Sequence, residues 1–168
     1  MPAPPAERRT LEQLPRAERT AWQLQRLNKL LATILPSNAF YAEKLRGISR
    51  PVRSLEELAT WPLTTKEELL VAGDALGGAA NRTWPLEHYV RFHRTSGTRG
   101  RPLAVLDSAD DWQWWLDGWQ FVLDAAEVTP SDRVLLAFSF GPFIGFWSAF
   151  DAVTQRGALT IPTGGMST

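Results

Sequence analysis

Thr95-Ser96-Gly97-Thr98-Arg99-Gly100 is the stretch of this chain whose residue types are best suited to chemistry. Gly97 and Gly100 can take positive φ and let the backbone approach a ligand closely. Thr95, Ser96 and Thr98 supply three hydroxyls, and successive N–H groups in such a turn can form an anion-binding concavity. Arg94, Arg99 and Arg101 add positive charge on both sides. The combination suits the phosphates of a nucleotide. It is not a G-x-x-x-x-G-K-[ST] loop, because no lysine follows Gly100, and no G-x-G-x-x-G opens a helix here. On residue types alone, the plainer reading is a hairpin turn.

Other chemistries are excluded by what the chain lacks or balances. It has no cysteine, so disulfides, thiolate nucleophiles and Cys-based zinc sites are out. The two histidines, His88 and His93, are too few for a His-rich metal centre. Eighteen basic residues balance eighteen acidic ones, which leaves no bulk attraction to nucleic acid or to an anionic membrane. No run of about 18 apolar residues suggests a membrane span, and the start of the chain has no apolar signal-peptide core. A cytoplasmic protein is expected. Eight Trp and eight Phe stand against two Tyr, enough to wall an aromatic pocket or to fill a core.

The elements that must position the loop can be read from periodicity and caps. Residues 1–9 read as a flexible leader, and Thr10 with Gln13 as a capping box. Trp22, Leu24, Leu27, Leu30, Leu31 and Ile34 predict one face of a helix that Pro36 ends. A short helix is predicted over Ala39–Leu45. Ser54 with Glu57, and Thr65 with Glu68, are further capping boxes opening brief helices at 55–59 and 66–71. Gly73–Ala80 reads as a loop. Residues 10–80 are therefore a helical region, and 81–168 a partial α/β domain.

Within that second region, Tyr89–His93 and Pro102–Leu106 predict two short strands around the Ser/Thr/Gly loop. Ser108 with Asp111 caps a strong helix whose apolar set is Trp112, Trp115, Leu116, Trp119, Val122, Leu123 and Ala126. Arg133–Phe138 reads as a buried parallel strand. A helix follows over 143–155 with Gly157 as its stop, then a strand at Ala158–Ile161. Strand, helix, strand in this order is α/β architecture with a parallel sheet. The sequence then ends in Thr163-Gly164-Gly165-Met166-Ser167-Thr168, where such sheets place ligands, and it reads as truncated.

Several stretches together resemble one family. T-S-G-T-R-G-R-P is similar to the phosphate loop of adenylate-forming enzymes, usually [ST]-S-G-[ST]-T-G-x-P. Asn38-Ala39-Phe40-Tyr41 with Lys44-Leu45, and Leu55-Glu56-Glu57-Leu58 followed by Pro62-Leu63-Thr64-Thr65-Lys66-Glu67-Glu68-Leu69, resemble segments of the phenylacetate–CoA ligase branch. So do Arg91-Phe92-His93 before the loop, Ala137–Gly145 after it, and Ile161-Pro162-Thr163-Gly164-Gly165. The resemblance covers residues 38–168, and it implies part of the large N-terminal domain of an adenylate-forming enzyme.

What the resemblance implies is an ATP-dependent acid–CoA ligase. A carboxylic acid and ATP give acyl-AMP and pyrophosphate, and the acyl group then passes to coenzyme A with Mg²⁺ as the metal. Thr95, Ser96, Gly97, Thr98, Arg99 and Gly100 would hold the phosphates; Arg99 replaces the usual second Thr. Phe138, Phe140, Phe143 and Gly145 would line a pocket for an aryl or arylacetic acid such as phenylacetate, or else pack a core. His93 would be catalytic, bonding the loop or the acyl carboxylate, or else a structural residue. The small-molecule acid is the expected partner, with no nucleic acid or membrane, and the complete enzyme is expected as a homodimer. The family's adenine-binding motif, Mg²⁺-supporting Glu, ribose-binding Asp, hinge and catalytic Lys would all lie beyond Thr168, so the 168 residues alone are expected to be inactive. The alternatives are a non-catalytic remnant, a module that binds a nucleotide or partner, or an adenylating enzyme with another acceptor.

Overall fold

The structure is a computed structural model, and it describes residues 4–70, 80–97 and 100–164. The chain divides into two compact units, Arg9–Leu86 and Met1–Arg8 with Glu87–Thr168, where the sequence suggests a change at 80–81. The expected loop at Gly73–Ala80 lies outside the described residues except at Ala80, as does the last residue of the helix expected at 66–71.

Helix α1 covers Pro5–Glu12. The expected leader is thus helical from Pro5 onward, and Thr10 sits inside the helix rather than capping it. A proline at the first helical position is pre-set for helical φ, and the Ala, Glu and Arg that follow favour the helix.

The Arg9–Leu86 unit is built on α2 (Arg16–Ile34) and α3 (Ala39–Lys44). Leu31, Leu45 and Val52 are its buried centre, with Leu24, Leu27, Leu35, Tyr41, Ile48 and Trp61 against them. Trp22 and Leu30, expected on the packed face, are exposed instead. The buried stripe runs through 24, 27, 31 and 35, and Trp22 carries the Arg26 guanidinium over its ring at 4.8 Å. Side chains that mimic backbone hold the connections. Asn28 bonds both the N–H and the C=O of Val52, each at 2.8 Å. The buried Asn38 caps α3 through Tyr41 N–H and donates to Asn81 O at 2.6 Å and Thr83 Oγ1 at 2.9 Å. The expected boxes form at Ser54, ahead of a 3₁₀ turn over Leu55–Thr60, and at Thr65, ahead of α4 (Lys66–Leu69).

In the other unit, β1 (Tyr89–Arg94) pairs antiparallel with β2 (Ala104–Ser108), two residues later than the sequence suggests for β2. The Ser108–Asp111 capping box starts α5 (Ala109–Ala125). β3 (Arg133–Leu136), α6 (Ile144–Arg156) and β4 (Leu159–Pro162) then form a β-α-β unit, with β3 and β4 parallel. Gly157 ends α6 at φ 87°, where a side chain would be strained.

The core of this unit lies between α5 and α6. Trp112, Leu116 and Leu123 meet Ala152, Val153 and Ala158. Small residues on α6 (Ser148, Ala149 and Ala152) allow the close approach, and Ser148 Oγ accepts the Trp119 indole N–H at 3.0 Å. Of the α5 stripe expected to pack, Trp115 and Val122 are exposed. β3 departs from the two-sided burial expected of it, since Leu136 is buried but Leu135 is 59% exposed. Its residues alternate between a covered and an open face.

Candidate functional site: the Thr95–Gly100 loop and the aromatic nest beside it

The loop leaves β1 after Arg94 and is closed at its base by two hydrogen bonds. Thr95 N–H donates to Leu103 O at 3.0 Å, and Leu103 N–H donates to Thr95 Oγ1 at 2.9 Å. The Thr95 hydroxyl therefore accepts a structural bond that holds the loop's base. Gly97 has φ 68°, and a Cβ there would lie 2.9 Å from Gly100 O and 3.0 Å from Pro102 Cγ. Only glycine fits. Gly100 has φ 127°, and its N–H donates to Gly97 O at 3.0 Å. Thr95, Ser96 and Gly100 are exposed; Thr98 and Arg99 lie outside the described residues.

The aromatic segment follows β3. Phe138 stacks on Phe146 at 4.5 Å, and Phe140 meets Trp147 at 4.8 Å and Phe150 at 5.8 Å. Phe143, at the N-cap of α6, approaches Phe146 at 5.9 Å and is 37% exposed. A Cβ on Gly145 would meet no atom within 4 Å outside its chain neighbours and its own helix backbone, so this face of α6 is open. Trp147 is 40% exposed and is steadied by its indole N–H on Gly141 O at 2.9 Å. Sequence reasoning placed Phe138, Phe140, Phe143 and Gly145 here but missed Trp147 and Phe150. Trp147 lies four residues after Phe143 and Phe150 four after Phe146, the spacing of one helix face, which was the available signal.

This nest sits at the carboxyl ends of β3 and β4. Thr163 donates from both N–H and Oγ1 to Leu136 O, at 3.3 and 2.9 Å. A Cβ on Gly164 would lie 3.0 Å from Phe140 Cδ2, so the backbone just after β4 lies close against that ring. Gly165 and the residues after it are outside the described set. The two candidate segments touch through one backbone bond: Arg94 N–H donates to Pro142 O at 2.7 Å. The strand that delivers the loop is thereby fixed to the turn that delivers the aromatic rings.

His93, expected to bond the loop or the acyl carboxylate or else to be a structural residue, lies in the interior facing Asp107. It is 3% exposed, and Nδ1 lies 3.2 Å from Asp107 Oδ2. Its ring stacks on Trp112 at 5.3 Å, and the Arg91 guanidinium lies over the same indole at 4.9 Å. Trp115 Nε1–H donates to Asp107 Oδ1 at 3.3 Å. Burial raises the Asp107 pKa above the usual carboxylate range, against the lowering effect of His93 and Trp115. Asp107 was missed because the predicted strand stopped at Leu106. Among the described residues, no three His, Cys, Asp or Glu side chains converge as a metal site.

No family model matches the chain. Curated relatives and solved structures do. Phenylacetate-coenzyme A ligase of Escherichia coli strain K12 is 30% identical over 154 residues, covering 90% of this chain and 34% of that protein. The enzyme of the same name from Thermus thermophilus is 30% identical over 161 residues, covering 94% and 35%. An open crystal structure of 2-hydroxyisobutyryl-CoA ligase, in complex with 2-HIB-AMP and CoA, aligns at TM-score 0.82 and 26% identity over 98% of this chain and 40% of that one. Its thioesterification state aligns at 0.83 and 27%. The fold is that of part of an adenylate-forming acid–CoA ligase. In sequence the chain is similar to phenylacetate-coenzyme A ligases, and it spans about a third of the length of the curated relatives it matches. None of the helices among the described residues is long and apolar enough to cross a membrane.

Proposed function

We propose that these residues are the phosphate-loop and acyl-pocket portion of an ATP-dependent acid–CoA ligase acting on an aryl or arylacetic acid. The observation that carries the reading is the Arg94 N–H to Pro142 O bond, which sets the loop beside the aromatic nest. Adenylation needs that adjacency. A carboxylate oxygen attacks the α-phosphorus of ATP and pyrophosphate leaves, so the acid must lie next to the triphosphate. The coenzyme A thiol then attacks the acyl carbonyl and AMP leaves.

In this reading the N–H groups and hydroxyls of Thr95, Ser96, Gly97, Thr98 and Gly100 meet the charge that builds on the departing phosphates, with Arg99 nearby. Mg²⁺ would travel with those phosphates and neutralise part of their charge; no described residue is assigned to it. Phe138, Phe140 and Phe143 offer ring faces, and the space beside Gly145 admits a flat acyl group. The solved neighbour handles a small branched hydroxy acid, but six aromatic side chains at one strand end favour an aryl substrate here. His93 enters through its pairing with Asp107 rather than through the acid. A cytoplasmic location, a homodimer of the longer enzyme, and the lack of turnover by 168 residues alone belong to the same proposal.

Thermal denaturation with ATP–Mg²⁺ and with a panel of acids tests it, because a ligand of the folded state raises the midpoint. ATP and phenylacetate should each raise it and short aliphatic acids should not, while Phe140→Ala abolishes only the response to phenylacetate. Equal responses to all acids would reject the aryl assignment. No response to ATP would favour the non-catalytic remnant.

A further inference from the structure

His93 and Asp107 have no part in either ligand-facing surface, yet they form the most deeply buried pair of titratable side chains facing each other in this unit. His93 is 3% exposed and Asp107 5%. Each is tied to a different element. His93 is the penultimate residue of β1, two before Thr95, and its ring lies on Trp112 of α5. Asp107 precedes the Ser108 cap of α5 and takes the Trp115 indole N–H on its second oxygen. Each carboxyl oxygen thus has one partner, His93 Nδ1 at 3.2 Å from Oδ2 and the Trp115 Nε1–H donating to Oδ1 at 3.3 Å.

We propose that His93 and Asp107 are a positioning pair: Asp107 holds His93 as the Nδ1–H tautomer and thereby fixes the end of β1, so that Arg94 and Thr95 stay in register with Pro142 and Leu103. A carboxylate accepting from a ring N–H selects the tautomer and the ring orientation together. The flat contact with Trp112, at an interplanar angle of 16°, restricts rotation of the same ring. The Arg91 guanidinium also lies over Trp112 at 4.9 Å, and both Arg91 and the Trp112 indole N–H are anchored on Asp151 Oδ2, at 2.6 and 2.9 Å. The remaining charge near Asp107 is Asp111, spent on the Ser108 cap. The consequence for phosphate binding rests on the function proposed above; the positioning role does not.

The test uses the 168-residue chain, ¹⁵N-labelled, with the wild type compared to Asp107→Asn and Trp115→Phe. Because the only other histidine is His88, the ring nitrogens of His93 are readily assigned. The wild type should show the Nδ1–H tautomer, and Asp107→Asn should lose that preference. Hydrogen exchange at the Thr95 and Leu103 amides should quicken by about tenfold in Asp107→Asn, the scale of one lost buried hydrogen bond. Amides of the β3–β4 pair should keep their rates, which shows that the variant is folded. Trp115→Phe, at a half-exposed site, should shift the same two amides less and in the same direction. An Nε2–H tautomer in the wild type, or unchanged exchange in both variants, overturns the proposal. Titration with inorganic pyrophosphate is the separate arm. Failure of the wild type to bind it counts against the phosphate-loop reading and leaves the exchange result to decide the positioning role.

Discussion

Two carboxylates flank helix α5, Asp107 on β2 just before its cap and Asp124 in its last turn, and the fold treats them in opposite ways. At the N-terminal end, Asp107 faces a histidine and an indole, and burial raises its pKa. At the C-terminal end, Asp124 faces two guanidinium groups. Arg8 donates from Nε at 2.6 Å and Nη2 at 2.8 Å, Arg156 donates from Nη2 at 2.7 Å, and the Asp124 pKa falls to about 2. The first end has neutral or adjustable partners beneath a candidate ligand loop. The second has permanent charges and no ligand-facing role. One helix is thus clamped where it only supports, and held by softer contacts where it meets the site.

The largest effect that separates the two ends is removal of each carboxylate. Asp124→Ala leaves Arg8 and Arg156 without their shared partner and should cost about 2–4 kcal/mol in urea unfolding at pH 7. Asp107→Asn keeps the shape and removes a buried charge, so it should cost under about 1 kcal/mol. Equal losses would erase the distinction.

Acid sharpens the contrast. Asp124 has a depressed folded-state pKa, so its contribution is present above the unfolded value and is lost as pH falls from about 4 towards 2. That loss is at most about 2 kcal/mol, reduced by the solvent still reaching the carboxylate. Asp107, with a raised pKa, has the opposite sign: its contribution is full below the unfolded value and declines as pH rises through the folded one. Hydrogen bonds also lower the pKa of Glu56, Glu68 and Asp132, so unfolding free energies should fall from pH 5 to pH 2.5 in both proteins, and further in the wild type than in Asp124→Ala. A wild-type fall no larger than that of the variant would contradict the clamp.

What could be read from sequence follows the range of the forces. The caps at Ser54, Thr65 and Ser108, and the stop at Gly157, are decided within three or four residues, and each formed as read. α1 carries local helix signals, Pro5 at its first position and the Ala, Glu and Arg after it, but its tie to the rest of the unit is Arg8 on Asp124, 116 positions away, which no local pattern encodes. Asp107 was missed because its partner lies across a hairpin. Helical spacing could not say which of Trp22, Leu24, Leu30 and Leu31 would be covered, since neighbouring stripes differ by a small rotation and only packing selects one. The loop was legible as a motif because glycines at 97 and 100 answer a steric demand visible in one chain.

An amide titration of the 168-residue chain with ATP–Mg²⁺ asks whether Thr95–Gly100 is a phosphate site. The largest shifts should fall on Thr95, Ser96, Gly97 and Gly100. They should vanish in Gly97→Ala, whose Cβ would crowd Gly100 O at 2.9 Å from a backbone at φ 68°. Shifts centred on other amides, or an unchanged response in Gly97→Ala, would contradict the account.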